Sequence, residues 1–120
     1  MTNTTRAGER GALPSGLQLV VMAESGSRRV DLPRTGTVTI GRGDTVDVRI
    51  DDVSISRVHA QLHLGATLQI EDLDSSNGTF LHGARLEPRR RVDLSAGEFC
   101  EIGSVVVVIR GLAAHDRLRQ

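Results

Sequence analysis

The sequence predicts an all-β domain built as a two-sheet β-sandwich. Three observations carry that expectation. Apolar and polar residues alternate along many short runs, the period of a half-buried strand. Those runs are rich in Val, Ile, Leu and Thr, and clusters of Gly, Ser, Asn, Asp and Pro separate them. No segment between them carries a convincing amphipathic helical pattern. Many short strands at close spacing form a sandwich or a barrel.

The elements follow in order. Residues 1–16, MTNTTRAGERGALPSG, hold almost no apolar side chains and predict a flexible tail. Strands are expected at LQLVVM (17–22), RVDL (29–32), TVTIGR (37–42) and VDVRI (46–50). Further strands are expected at VHAQLHL (58–64), TLQIEDL (67–73), TFL (79–81), RVDL (91–94), EFCEI (98–102) and VVVVI (105–109). Residues 111–120, GLAAHDRLRQ, read as a terminal tail or linker. Parity on the 58–64 run places Val58, Ala60, Leu62 and Leu64 on the core face. Arg57, His59, Gln61 and His63 then take the opposite face. With two aromatic residues in the chain, Phe80 and Phe99, the core is expected to consist of Val, Leu and Ile.

Composition excludes several functions. A chain of 120 residues is one ordinary domain, long enough to bury roughly two-thirds of its unfolded surface. Arg and Asp plus Glu balance at 15 each, so no excess charge favours nucleic acid or a membrane surface. All 15 basic residues are arginine, so each can grip an oxyanion through two parallel hydrogen bonds. Cys100 is the single cysteine, which excludes a disulfide framework or a cysteine metal site, and its apolar run reads as core. The longest apolar run, VVVVI, has strand length, and MTNTTRAGER lacks an apolar signal core. A cytoplasmic location is expected.

Three stretches hold polar groups at strand ends, where a sandwich gathers its loops. In TIGRGDT, Gly41 permits a sharp turn or close backbone approach, and Arg42 leaves the strand end toward the loops. In SISRVHA, a hydroxyl, a guanidinium and an imidazole fall close together. A catalytic dyad is a poor fit: Ser56 and His59, three apart at a strand entry, point to opposite faces, and no G-x-S-x-G elbow exists. His59 and His63 are too far apart to hold one metal without further ligands. In DLDSSNGTFLHG, Asn77-Gly78 signals a tight turn, yet the turn carries more polar valence than a hairpin requires.

Together these stretches, with DVRIDDVSISRVHAQL and IEDLDSSNGTFLHG, resemble the forkhead-associated (FHA) family over residues 17–110. That resemblance implies a β-sandwich whose loops at one end bind phosphothreonine peptides without cofactor, metal or catalysis. It places phosphopeptide contacts at Arg42, Ser56, Arg57, Ser76 and Asn77, and structural support at Gly41, His59 and Gly78. Many members carry Asn-Gly where this chain has His82-Gly83, which makes His82 a candidate for selectivity toward the residues flanking the phosphothreonine. The implied partner is a phosphothreonine-containing protein in a bacterial Ser/Thr kinase pathway, with an effector domain attached in a longer protein. A phosphate-independent scaffold or oligomerisation module of the same fold is the alternative.

Overall fold

A computed structural model describes residues 14–111. Of the expected tails, 1–16 and 111–120, residues 1–13 and 112–120 lie outside the described residues, whereas 14–16 open strand β1 and Gly111 closes β11, both paired in a sheet rather than forming a tail. Eleven strands follow in chain order: β1 Pro14–Ala23, β2 Gly26–Pro33, β3 Gly36–Gly41, β4 Val48–Arg49, β5 Ala60–Leu64 and β6 Leu68–Asp72 lead. After them come β7 Thr79–Leu81, β8 Ala84–Arg85, β9 Arg91–Asp93, β10 Phe99–Ile102 and β11 Val105–Gly111.

They form two sheets, six strands in the order β2-β1-β11-β10-β7-β8 and five in the order β4-β3-β5-β6-β9. All pairings are antiparallel except β3 with β4. The period of two sorts the side chains. Leu19, Val21, Val107, Ile109, Cys100 and Ile102 of the first sheet face Val38, Ile40, Ala60, Leu62 and Ile70 of the second, all buried. Apolar burial of this kind supplies most of the folding free energy, roughly 25 cal/mol per Å². The Cys100 thiol lies in this core, and burial pushes its pKa up to about 12.

Every predicted run contains a strand, and one strand was missed. Two-residue β8 is too short to show a period; it exists because it pairs with β7. Asn77-Gly78 is not a hairpin turn, because β6 and β7 belong to different sheets and the chain crosses between them there. The tight hairpin is instead β7–β8, closed by His82 (φ 54°) and Gly83 (φ 79°). Two positive φ values suit a type I′ turn, which favours Asn-Gly and tolerates His at some cost.

The parity expected at the entry to β5 fails. Pairing begins at Ala60, so Val58 stands outside the ladder and is 43% exposed, while His59 is fully buried. Alternation predicts faces only where the chain is already a strand.

Truncating Ile70 to Ala should lower unfolding stability by about 2–5 kcal/mol through the cavity it leaves. Thr37→Ala, on the polar outer face of the same sheet, should stay within about 0.5 kcal/mol. Urea denaturation of both variants checks the contrast.

Candidate functional site

Three loops meet at one end of the sandwich: residues 42–47 after β3, 50–59 after β4 and 73–78 after β6. Backbone hydrogen bonds fasten the first two together. Arg42 N donates to Ser56 O at 2.9 Å and Gly43 N to Arg57 O at 3.0 Å. This approach needs a glycine at 41. A Cβ there would lie 2.1 Å from Arg57 O and 2.7 Å from its carbonyl carbon, both backbone atoms that cannot step aside.

The second and third loops are joined by His59. Its Nδ1 accepts from Ser56 N at 3.0 Å, and its Nε2 lies 2.9 Å from Gly78 O. A backbone N–H can only donate, so Nδ1 carries no proton and Nε2–H is the donor to the carbonyl. The ring is therefore neutral. Burial drives the His59 pKa below its ordinary 6.5, outweighing the Gly78 carbonyl and the Asp72 charge, which favour the cation.

Under the third loop lies a buried carboxylate that the sequence did not single out. Asp72 accepts from Ser75 Oγ and Thr79 Oγ1, each at 2.6 Å, and from Ser75 N at 3.1 Å. Burial raises its pKa, but these hydrogen bonds prevail and hold the carboxyl below its ordinary 3.8. Ser75 Oγ in turn accepts from Gly78 N at 3.0 Å. Gly78 adopts φ 92°, a left-handed conformation that favours glycine. The β10–β11 turn braces the same loops, with Gly103 N donating to Gly78 O at 3.0 Å and Ser104 N to Ser54 Oγ at 2.9 Å.

The five expected contact residues come together on this frame. Ser76 N donates to Ser56 Oγ at 3.0 Å, which leaves the Ser56 hydroxyl proton free to be given outward. Arg42 Nε donates to Ile55 O at 3.0 Å, which orients the guanidinium and frees its two terminal nitrogens. Asn77 Nδ2 donates to Ser54 O at 2.8 Å, leaving Oδ1 to accept from another chain's N–H. Arg42 and Arg57 are exposed and line a hollow of about 560 Å³ with Gly43, Asp44, Thr45 and Val58. Among the described residues, no carboxylate pairs with either guanidinium.

His82 is the exception. It lies at the far end of β7 from Asn77, and its Nε2 sits 2.7 Å from Glu98 Oε2. The expected place near the ligand is corrected: the β7–β8 hairpin points away from the recognition loops, because Thr79 rather than Leu81 is the end of β7 beside them. Arg85, which the sequence reading passed over, does lie beside the loops. Its Nη2 is 3.5 Å from Ser76 O, and its side chain crosses Gly78. Its signal lay in the β7–β8 pairing, where Arg85 opposes Phe80.

A sandwich bearing three interlocked loops and unpaired guanidinium groups defines a loop-borne binding module for an anionic ligand. The chain belongs to the FHA domain family, whose match covers residues 38–103. It is similar to the glycogen accumulation regulator GarA of Mycolicibacterium smegmatis, 36% identical over 113 residues, covering 85% of this chain and 68% of that protein. It is also similar to the oxoglutarate dehydrogenase inhibitor of Corynebacterium efficiens, 34% identical over 108 residues, covering 85% and 72%. An FHA domain solved in a structural and functional analysis of phosphothreonine-dependent FHA domain interactions superposes with a TM-score of 0.69. That domain is 29% identical, with 78% of this chain and 94% of that one covered.

Two predictions follow from the His59 clamp. His59→Ala strands the Ser56 N–H and removes one of the two donors to the Gly78 C=O, which keeps the Gly103 N–H. It should therefore cost about 1–3 kcal/mol of stability for the orphaned donor, with the cavity left by the ring adding to that. Ser56→Ala should cost about 1 kcal/mol or less, because the Ser76 N–H it releases can turn to water. Thermal and urea melts of the two variants test the difference. The pH dependence has a definite sign. Unfolded His59 takes up a proton near pH 6.5 and folded His59 resists it, so stability present above pH 6.5 is lost as pH falls toward the folded pKa. Asp72 adds a second loss below pH 3.8. Relative to wild type, His59→Ala should lack the first loss when unfolding is measured at several pH values.

Proposed function

We propose that this domain binds a partner protein through a phosphorylated threonine, as a non-catalytic signalling module. The observation that carries the reading is the set of unspent donors at the loop end. Arg42 offers two terminal nitrogens, Ser56 offers a hydroxyl proton, and Arg57 stands exposed beside them. A phosphothreonine brings about −1.5 to −2 charge and three acceptor oxygens, which match this donor set.

In this reading the Arg42 guanidinium makes the main charge-assisted contact. Ser56 donates to a second phosphate oxygen, and Arg57 screens the remaining charge. Asn77 Oδ1 accepts a ligand backbone N–H and so fixes register, while Ser76 lines the wall of the pocket. Gly41, His59 and Gly78 hold these groups without touching the ligand. No proton moves and no bond breaks: the buried imidazole spends both nitrogens on the backbone. Chemical kinship supports the class, since a similar solved domain comes from work on phosphothreonine-dependent FHA interactions, and the family reads phosphorylated motifs with arginine clusters. The setting would be the cytoplasm, where a Ser/Thr kinase meets its protein substrates. In a longer chain the module would bring an effector domain to the phosphorylated partner.

Arg42→Ala should weaken binding of a phosphothreonine peptide by about 10- to 150-fold, the worth of a charge-assisted hydrogen bond. Calorimetric titration of a phosphothreonine peptide library, with unphosphorylated and phosphoserine controls, reads this directly. Equal affinity for phosphorylated and unphosphorylated peptides would instead support a phosphate-independent scaffold.

A further inference from the structure

The two sheets present opposite chemistry to the outside. On the five-stranded sheet, the outward rows are Thr37–His63–Gln69–Asp93 and Thr39–Gln61–Glu71–Arg91, polar at every position. An antiparallel sheet with one solvated face should read this way. On the six-stranded sheet, one outward row is Arg29–Val20–Val108–Phe99, and the next is Ser27–Met22–Val106–Glu101–Phe80–Arg85. Apolar side chains dominate the centre of both rows, and the third outward row, Asp31–Gln18–Arg110, borders them as a polar rim.

Three further observations mark this face as built to be covered. The chain's two aromatic residues, Phe80 and Phe99, both lie on it rather than in the core, and Phe99 is 53% exposed. Aromatic residues and Met are enriched at protein interfaces, and Met22 here is 43% exposed. The β11 run VVVVI is apolar on both parities, the pattern of a strand covered on both faces. Finally, Glu101 sits between Val106 and Phe80, and among the described residues nothing pairs with it or with Arg29.

We propose that the outer face of the six-stranded sheet is a self-association surface that takes the same face of a second copy of this chain. A two-fold axis running between β1 and β11, along the strands, satisfies the face. It lays Val20 and Met22 over the other copy's Val108 and Val106. It also carries Arg29 of β2 over the other copy's β10, where an exposed phenyl ring and an unpaired carboxylate, Phe99 and Glu101, await a cation. Sheets pack in this way about 10 Å apart. A single partner helix fits less well. At about 10 Å across it covers two strands, whereas the apolar rows span more. Four strands of about six residues give a footprint of roughly 400 Å² per copy. A contact of that size is weak and concentration-dependent. With equal counts of acidic and basic residues, the chain has no net charge to oppose it.

The test is sedimentation velocity of the whole chain over a wide concentration series. Wild type should shift from monomer to dimer as concentration rises. Val108→Glu should weaken the dimer by about tenfold or more, since it places a carboxylate in the apolar centre. Arg29→Glu should weaken it as well, and the double variant Arg29→Glu/Glu101→Arg should restore it. The charge-swap variants alter exposed positions, so they keep the test valid if Val108→Glu fails to fold, which a thermal melt reports. A wild type that stays monomeric throughout overturns the proposal, as does a dimer indifferent to these changes.

Discussion

The loop end of this molecule depends on one buried imidazole. His59 has no contact with solvent, and it spends one ring nitrogen on the Ser56 N–H and the other on the Gly78 carbonyl. Those two backbone groups belong to loops that follow different strands and come from different parts of the chain. Without the ring, the Ser56 N–H would lose its partner, at a cost of about 1–3 kcal/mol, and the Gly78 carbonyl would keep only the Gly103 N–H. A hydroxyl or amide side chain could satisfy one of them. A neutral imidazole satisfies both because its donor and acceptor sit on opposite edges of one rigid plane.

That requirement explains the neighbours. The ring must remain neutral, since a proton on Nδ1 would face the Ser56 N–H donor head-on. Burial secures the neutral form against the pull of Asp72. Asp72 in turn is spent on Ser75 and Thr79, which fix the path of the third loop as it crosses from one sheet to the other. The β10–β11 turn then reaches the same Gly78 carbonyl from the six-stranded sheet. Outward-facing groups such as exposed Arg42 and half-buried Ser56 are thus held by backbone contacts beneath them, and little conformational entropy remains to be lost when a ligand arrives.

Much of this was legible in the sequence, and its blind spots have physical causes. Alternation located the strands because each sheet has a buried face, and the order Gly-Arg, Ser-x-x-His, Asn-Gly-Thr located the loops. Parity misassigned His59 and Val58 because the ladder starts at Ala60, and alternation has no meaning one residue earlier. The Asp72–Ser75–Thr79 network was invisible because its spacing matches neither strand nor helix: the chain turns a corner between sheets. His82 was placed near the ligand by the family resemblance, but three strand residues carry it to the opposite end of β7 from Asn77. Arg85 escaped notice for the converse reason, since the hairpin brings it back toward the loops.

The aromatic residues show what composition can and cannot place. A chain with two phenylalanines is expected to build its core from Val, Leu and Ile, and it does, although the core is the common place for large apolar side chains. Here Val, Leu and Ile fill the core without them, and both rings stand on the outer face of one sheet. The same period of two that gives the five-stranded sheet a polar exterior gives the six-stranded sheet an apolar one, so folding alone does not demand the difference. The two exteriors also stand apart from the three interlocked loops, which draw on strand ends rather than strand faces. One fold therefore leaves room for two separable kinds of contact: a charged, rigid loop end set by His59, and a flat apolar face set by the outward side chains of β1, β11, β10 and β7.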